Sequence, residues 1–192
     1  CLVGSEMCIR DRPYFGADVF ISLRGMRFYR VVVCLSFLIL AYKYAAEVSL
    51  ENEYMRLALN EAALAEASGD IPVGAVIVKN GVVIAKAHNT REKYMNALCH
   101  AEISAINSAC RYLNNWRLDD CDMYVTLEPC IMCSGAVVQS RIRRVFFGAY
   151  DIENGYMASN FVPGLKLPEC YCGIMEEECK SALVKFFDKL RK

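Results

Sequence analysis

The sequence has no charge excess of either sign. Its 22 Lys and Arg offset 22 Asp and Glu, for a formal net charge of +0 and a pI near 6.9. A protein-wide positive field that would hold nucleic acid is therefore excluded, and only a local patch could serve. The apolar run Val31 to Tyr42 falls short of the ~20 residues that a membrane helix needs. Internal repeats and low-complexity segments are absent, which removes the solenoid and linker classes. Histidine is nearly missing, with His88 and His100 as its 2 occurrences. Cysteine is abundant at 11, but the count is odd and the residues are scattered. That is no secreted disulfide framework, and a reducing compartment is the expectation. Cys110, Cys121 and Cys179 read as small core residues, while Cys170 and Cys172 lack evident companion ligands. The length of 192 residues allows one domain with a real core and an appendage.

Residues 1–49 differ from the rest. Cys1 to Arg12 resembles translated adapter sequence, and a basic stretch with Arg24, Arg27 and Arg30 precedes the apolar run. Three readings stand: upstream or artefactual translation, a genuine appendage, or a signal peptide. The first is the working expectation, and the segment stays outside the fold argument. The domain proper is expected over residues 50–192. Ser49 suits a helix cap with Glu51 and Glu53 in the first turn. Tyr54, Leu57, Ala58, Ala62 and Ala65 recur at helical spacing, and Gly69 suits the residue after the helix end.

Val73–Lys79 and Val82–Ala87 read as strands joined by the two-residue turn Asn80-Gly81. Ala75 to Val78 is almost wholly apolar, which predicts burial on both faces. Residues 89–99 read as a loop, 100–112 as a helix, 123–127 as a strand, 130–139 as a helix opened by Pro129, and 145–149 as a strand. Residues 151–172 are loop-rich, and 176–190 form a final helix. This alternation predicts an α/β fold, a central mixed sheet with parallel crossovers and helices on both faces.

The chemistry concentrates in His100-Ala101-Glu102 and Pro129-Cys130-Ile131-Met132-Cys133. Cys130 and Cys133, at i and i+3, share one helical face. With His100 they supply three ligands of the kind zinc prefers, and three leave a fourth position open for water, as hydrolytic zinc sites do. Such an ion lowers the pKa of its water towards ~7. Glu102 is then free to move protons. A redox Cys-x-x-Cys needs neither imidazole nor acid, and a closed structural zinc would need a fourth ligand such as Cys99 or His88.

His-Ala-Glu followed by Pro-Cys-x-x-Cys resembles the zinc-dependent nucleobase deaminases. The segments around Tyr54-Met55-Arg56, Ile71-Pro72-Val73-Gly74, His88-Asn89, Asn115-Trp116-Arg117-Leu118, Thr126-Leu127-Glu128-Pro129, Ser140-Arg141-Ile142 and Phe147-Gly148-Ala149 are similar to the bacterial tRNA-specific adenosine deaminases. The similarity covers residues 50–192. It implies a cytidine-deaminase-like three-layer α/β/α sandwich with a central mixed five-stranded sheet, one Zn2+ per chain, a homodimer and a cytoplasmic enzyme. The implied reaction is hydrolytic deamination of wobble adenosine to inosine in the tRNA anticodon loop, by zinc-activated hydroxide with Glu102 as proton shuttle. His100, Cys130 and Cys133 would be the metal ligands. Asn89 would hydrogen-bond the flipped base, Ile71 would wall the pocket, Ala101 and Glu128 would face the base, and Asp151 would lie in the substrate-side loop. The chain departs from the pattern at Ala97-Leu98-Cys99 before the histidine and in a shortened loop at residues 160–172. Arg141, Arg143 and Arg144, and the lysines and arginine from Lys180 to Lys192, are either a local RNA-binding supply or solvated faces. A deaminase of free guanine or cytosine and a non-catalytic zinc-bearing subunit are the competing functional readings.

Overall fold

The computed structural model describes residues 26–155 and 167–191. The adapter-like residues 1–12, the arginine at 24 and most of the shortened 160–172 loop lie outside that range. The chain divides into two compact units, Cys1–Leu50 and Glu51–Lys192; the site belongs to the second.

Helix α1 spans Met26–Ala67. The expected start at Ser49 is wrong, because Ser49 lies inside this helix. No Pro or Gly occurs between Gly25 and Gly69, so no residue there breaks the helix, and a serine in mid-chain is a weak stop. The end is as expected. Asp70 N–H donates to the Ala65 carbonyl and Gly69 N–H to that of Glu66, both at 3.0 Å, with Gly69 at φ +82°. This is the paired closure that a left-handed glycine permits.

Strands β1 (Gly74–Lys79) and β2 (Val82–His88) form a hairpin. Asn80 and Gly81 both hold positive φ, +50° and +80°, which matches the right-handed strand twist. The remaining elements are α2 (Arg91–Tyr94), α3 (Ala101–Leu113), β3 (Cys121–Leu127), α4 (Ile131–Gln139), β4 (Arg144–Ala149), β5 (Glu169–Tyr171) and α5 (Glu176–Leu190). The sheet order is β2-β1-β3-β4-β5. β1 runs antiparallel to β2 and β3, while β3, β4 and β5 are mutually parallel. The mixed five-stranded sheet is therefore present. Helix α4 links the adjacent parallel strands β3 and β4, and α3 links β2 to β3 across β1. Two elements fall in segments read as loop. α2 and β5 are too short to show a periodicity.

Each sheet face carries its own core. Ala75, Ile77, Met123, Val125, Val145 and Phe147 pack with Ala101, Ala105 and Ala109 of α3 and Val137 of α4. Val76, Val78, Tyr124 and Phe146 pack with Tyr54, Met55 and Ala58 of α1 and Cys179 of α5. Ala75 to Val78 is buried throughout, the expected consequence of helices on both faces. On the second face the Tyr124, Phe146 and Tyr171 rings stack across three strands, with centroids 4.5 and 4.7 Å apart. The alanine-lined α3 and Gly74 both allow close layers. A Cβ on Gly74 would lie 2.0 Å from the Ala58 carbonyl oxygen, so α1 seats directly on β1.

Arg143 and Arg144 do not form a free basic patch. Their guanidinium groups clasp Asp122, with Nε to Oδ1 distances of 3.1 and 2.9 Å. Burial alone would raise the Asp122 carboxyl, but the hydrogen bonds from Arg144 and Arg143 prevail and hold it below its ordinary 3.8. A depressed folded value means that the ion pair contributes fully above the unfolded value and is lost as pH falls through the folded one. Asp122→Asn should lower stability by about 1–3 kcal/mol at neutral pH and flatten the acid limb of a stability-versus-pH curve below about pH 4. An unchanged acid limb in urea titrations would contradict the ion pair's role.

Candidate active site

The sheet brings one end of each central strand to a common edge. β3 finishes at Leu127, β4 at Ala149 and β2 at His88, and antiparallel β1 begins there at Gly74. Helices α3 and α4 start at the same edge, with His100 and Cys130 as the residues just before them. Both helix N-termini point at the site, where their partial positive charge favours thiolate and carboxylate. Pro129 ends β3 and leads into α4, where the missing N–H carries no penalty. Arg141, Arg143 and Arg144 flank the start of β4, at the opposite end of the sheet.

The expected metal ligands come together. One ligand atom from each of His100, Cys130 and Cys133 lies within 4.8 Å of the others. His100 Nδ1 is 3.8 Å from Cys130 Sγ and 3.5 Å from Cys133 Sγ. Nitrogen and sulfur ligands of a tetrahedral zinc, at bond lengths of about 2.0–2.1 and 2.3 Å, lie roughly 3.6 Å apart. The donor set and its spacing therefore fit zinc. Neither His88 nor Cys99 joins this group; among the described residues no fourth protein ligand closes it. His88 instead pairs with Glu61 at 3.0 Å.

The three ligands already interact electrostatically. Cys130 is held at about 3 by hydrogen bonds from the Cys133 thiol and from His100, against the opposing effect of burial. Cys133 moves upward, because it is the donor to Cys130 and is itself buried. His100 is raised by its hydrogen bond to Cys130. A metal would replace these protons, since zinc takes both sulfurs as thiolates.

Glu102 stands on the first turn of α3 and is 4% exposed. Burial pushes its carboxyl up, opposed by its own backbone N–H and by His100, while Cys133 hydrogen-bonds the carboxylate. It thus sits against the ligand trio without being part of it. Ala101 is fully buried beside it, and Ile71 is half-buried against the core cluster that includes Ala101.

Two loops complete the edge. Asn89, 6% exposed, follows β2, and the Thr90 N–H to Cys99 carbonyl bond of 3.0 Å brings it within a residue of the His100 segment. Glu128 is buried, and its Oε2 accepts the Asp151 N–H at 3.3 Å. Gly155 forms a bridge with Cys130; a Cβ there would lie 2.5 Å from the Glu128 carboxyl, so only glycine allows this approach. The Asp151 carboxylate accepts the Glu153 and Asn154 N–H groups at 3.1 and 3.0 Å, so it holds its own turn. Asp70 has no place in the sequence reading. Fully buried, its carboxylate accepts from Asn89 Nδ2, Glu92 N and Lys93 N, each at 3.1 Å. Its one sequence signal was a carboxylate directly after the helix-closing Gly69. Beyond Glu128, a groove of about 630 Å³ runs between residues 149–152 and α5, lined in part by Lys180, Phe187 and Arg191.

Three N/S ligands with an open side and a buried adjacent carboxylate, set at the edge of a mixed sheet between helix layers, define the class of zinc-binding hydrolytic deaminases. Residues 48–149 match the family model for the cytidine and deoxycytidylate deaminase zinc-binding region. The tRNA-specific adenosine deaminase of Bacillus subtilis is 46% identical over 144 residues, covering 72% of this chain and 89% of that protein. A structure solved in a study of A-to-I editing by tRNA:A34 deaminases at the wobble position of transfer RNA superposes with a TM-score of 0.66 and 39% identity, over 68% of this chain and 99% of that one. A guanine deaminase from Nitrosomonas europaea, 22% identical over 70% of this chain and 83% of its own, shares the fold with a TM-score of 0.64. The chain belongs to the cytidine and deoxycytidylate deaminase family, in the branch of the tRNA-specific adenosine deaminases.

Purified protein should carry about one zinc per chain, and His100→Ala or Cys133→Ala should reduce that to a small fraction by metal analysis. Cys110→Ala should leave it unchanged. Full zinc occupancy in Cys133→Ala would remove that residue from the ligand set.

Proposed function

We propose that this chain converts adenosine to inosine at the wobble position of tRNA by hydrolytic deamination. The observation that carries the reading is the buried Glu102 carboxylate beside the His100, Cys130 and Cys133 group, whose donors fit zinc, in a chain 46% identical to a tRNA-specific adenosine deaminase. His100, Cys130 and Cys133 would hold the metal. Zinc, when bound, supplies the Lewis acidity that makes water a nucleophile near neutral pH.

The chain's own residues do the rest. Glu102 accepts a proton from the attacking water and delivers it to the purine ring nitrogen. It then carries the second proton to the amino group, so that ammonia leaves and the base keeps the oxygen. The helix N-termini of α3 and α4 stabilise the negative charge of the thiolates. Asn89 hydrogen-bonds the flipped base, with Ile71 and the backbone at Ala101 and Glu128 around it. An unpaired loop nucleotide is easier to extract than one in a duplex. Lys180 and Arg191, rather than Arg143 and Arg144, lie on the groove beside Glu128 and are the cations placed to meet the RNA backbone. A homodimer acting in the cytoplasm is the working assembly and location, supported by the resemblance to the tRNA-acting enzymes. Among the described residues, no helix is long and apolar enough to cross a membrane.

The full chain, incubated with an anticodon stem-loop carrying wobble adenosine and separately with guanine and cytosine, should form inosine and leave the free bases intact. Glu102→Gln should retain zinc and lose roughly 10²–10⁴-fold in rate. Free-base turnover without inosine would replace the tRNA reading, and full activity in Glu102→Gln would remove the shuttle.

A further inference from the structure

Asn89 is buried, yet its side chain uses only part of its bonding capacity. Nδ2 donates to Asp70 Oδ1 at 3.1 Å, and the main-chain N–H donates to the Val73 carbonyl at 2.9 Å. Its Oδ1 and second Nδ2 hydrogen make no hydrogen bond to any described residue. Buried amides are ordinarily satisfied, so the free oxygen and hydrogen mark an edge built for a ligand.

The partner that holds the amide is itself unusual. Asp70 is 0% exposed. Its Oδ1 accepts from Asn89 Nδ2 and from the Glu92 N–H, and its Oδ2 accepts from the Lys93 N–H, all at 3.1 Å. A hydroxyl or an amide could have capped this turn. Here both carboxylate oxygens are taken up as acceptors of three N–H groups. The carboxylate therefore permits one orientation of Asn89: nitrogen towards Asp70, oxygen away from it. The same carboxylate fastens residues 92 and 93 of the strap that starts at Asn89 and runs to His100, and that strap is closed by Thr90 N–H to the Cys99 carbonyl at 3.0 Å.

We infer that Asp70 is a positioning residue for base recognition, locking the Asn89 amide so that its carbonyl oxygen and one N–H face the substrate base. This deepens the proposed function and rests on its reading of Asn89 as the base contact. Asp70 touches neither base nor metal; it acts through Asn89. In Asp70→Asn the new amide can donate as well as accept, so Asn89 is free to turn, and a backbone N–H at residue 92 or 93 loses its acceptor.

The test is a double-mutant cycle in the full chain with Asp70→Asn, Asn89→Ala and both together, read as kcat and KM for inosine formation on the stem-loop, with zinc content measured alongside. Asp70→Asn should keep about one zinc per chain and lower kcat/KM by roughly 10- to 100-fold, the range expected for losing a charge-assisted hydrogen bond. In the Asn89→Ala background the same change should have almost no further effect, because the residue that it orients is gone. Equal losses in both backgrounds would overturn the inference, since they would mean that Asp70 acts on the fold at large. Should Asp70→Asn not fold, Asp70→Ser takes its place in the same cycle; unfolding of both, with zinc lost, would likewise make Asp70 a structural residue and overturn the inference. Wild-type inosine formation is the separate control on the proposed function. If the wild type instead turns over guanine or cytosine, the cycle is read on that base, and the claim about Asp70 stands or falls by itself.

Discussion

Two helices begin at the same edge of the sheet, and the rest of the site depends on how closely they approach. His100 precedes α3 and the Cys-x-x-Cys pair opens α4, so the distance between those helix starts sets the 3.5 and 3.8 Å contacts of the ligand trio. That distance is controlled from below. α3 presents Ala101, Ala105 and Ala109 to the sheet, and a face of alanines lets a helix ride close to the strands. Zinc has little geometric preference from its electrons and accepts what its ligands define. The trio is thus set by the fold itself, and an ion held there would tie together two elements about 30 residues apart in sequence.

Around that junction, buried carboxylates do three different jobs. Glu102 faces the ligands and carries protons in the proposed reaction. Glu128 anchors the 151–155 turn, which Gly155 lets lie directly against it. Asp70 fixes the strap that carries Asn89. Each of them is buried, but only Glu102 abuts the metal group. Burial of an acid is thus no sign of catalysis by itself; what the carboxylate accepts decides its role. The same reasoning reassigns the arginines. Arg143 and Arg144 serve Asp122 at the far end of β3 and β4, away from the edge where a tRNA loop would enter.

Much of this was legible from residues alone. The Asn-Gly turn, the glycine closing α1, the apolar β1 and the starts of α3 and α4 are local signals, and each appears where its chemistry puts it. The ligand set was legible because metal chemistry admits few residue types and demands specific spacings. What escaped lacks a local signature. β5 has three residues and α2 has four, below the length at which a pattern repeats. Ser49 looked like a cap because caps are defined by what precedes them, and there an uninterrupted run of helix-compatible residues continues the helix. Asp70 escaped because its partners are 19 to 23 residues away, so its role exists only once the hairpin is folded.

The claim on which the others rest is that the metal has three protein ligands and an open side next to Glu102. X-ray absorption at the zinc edge of the purified full chain tests it most directly. The account predicts two sulfur and one nitrogen scatterers from protein with one light solvent atom, following the donor set of Cys130, Cys133 and His100. A shell of three sulfurs, or of two sulfurs and two imidazole nitrogens, would mean a closed structural site and would contradict the account.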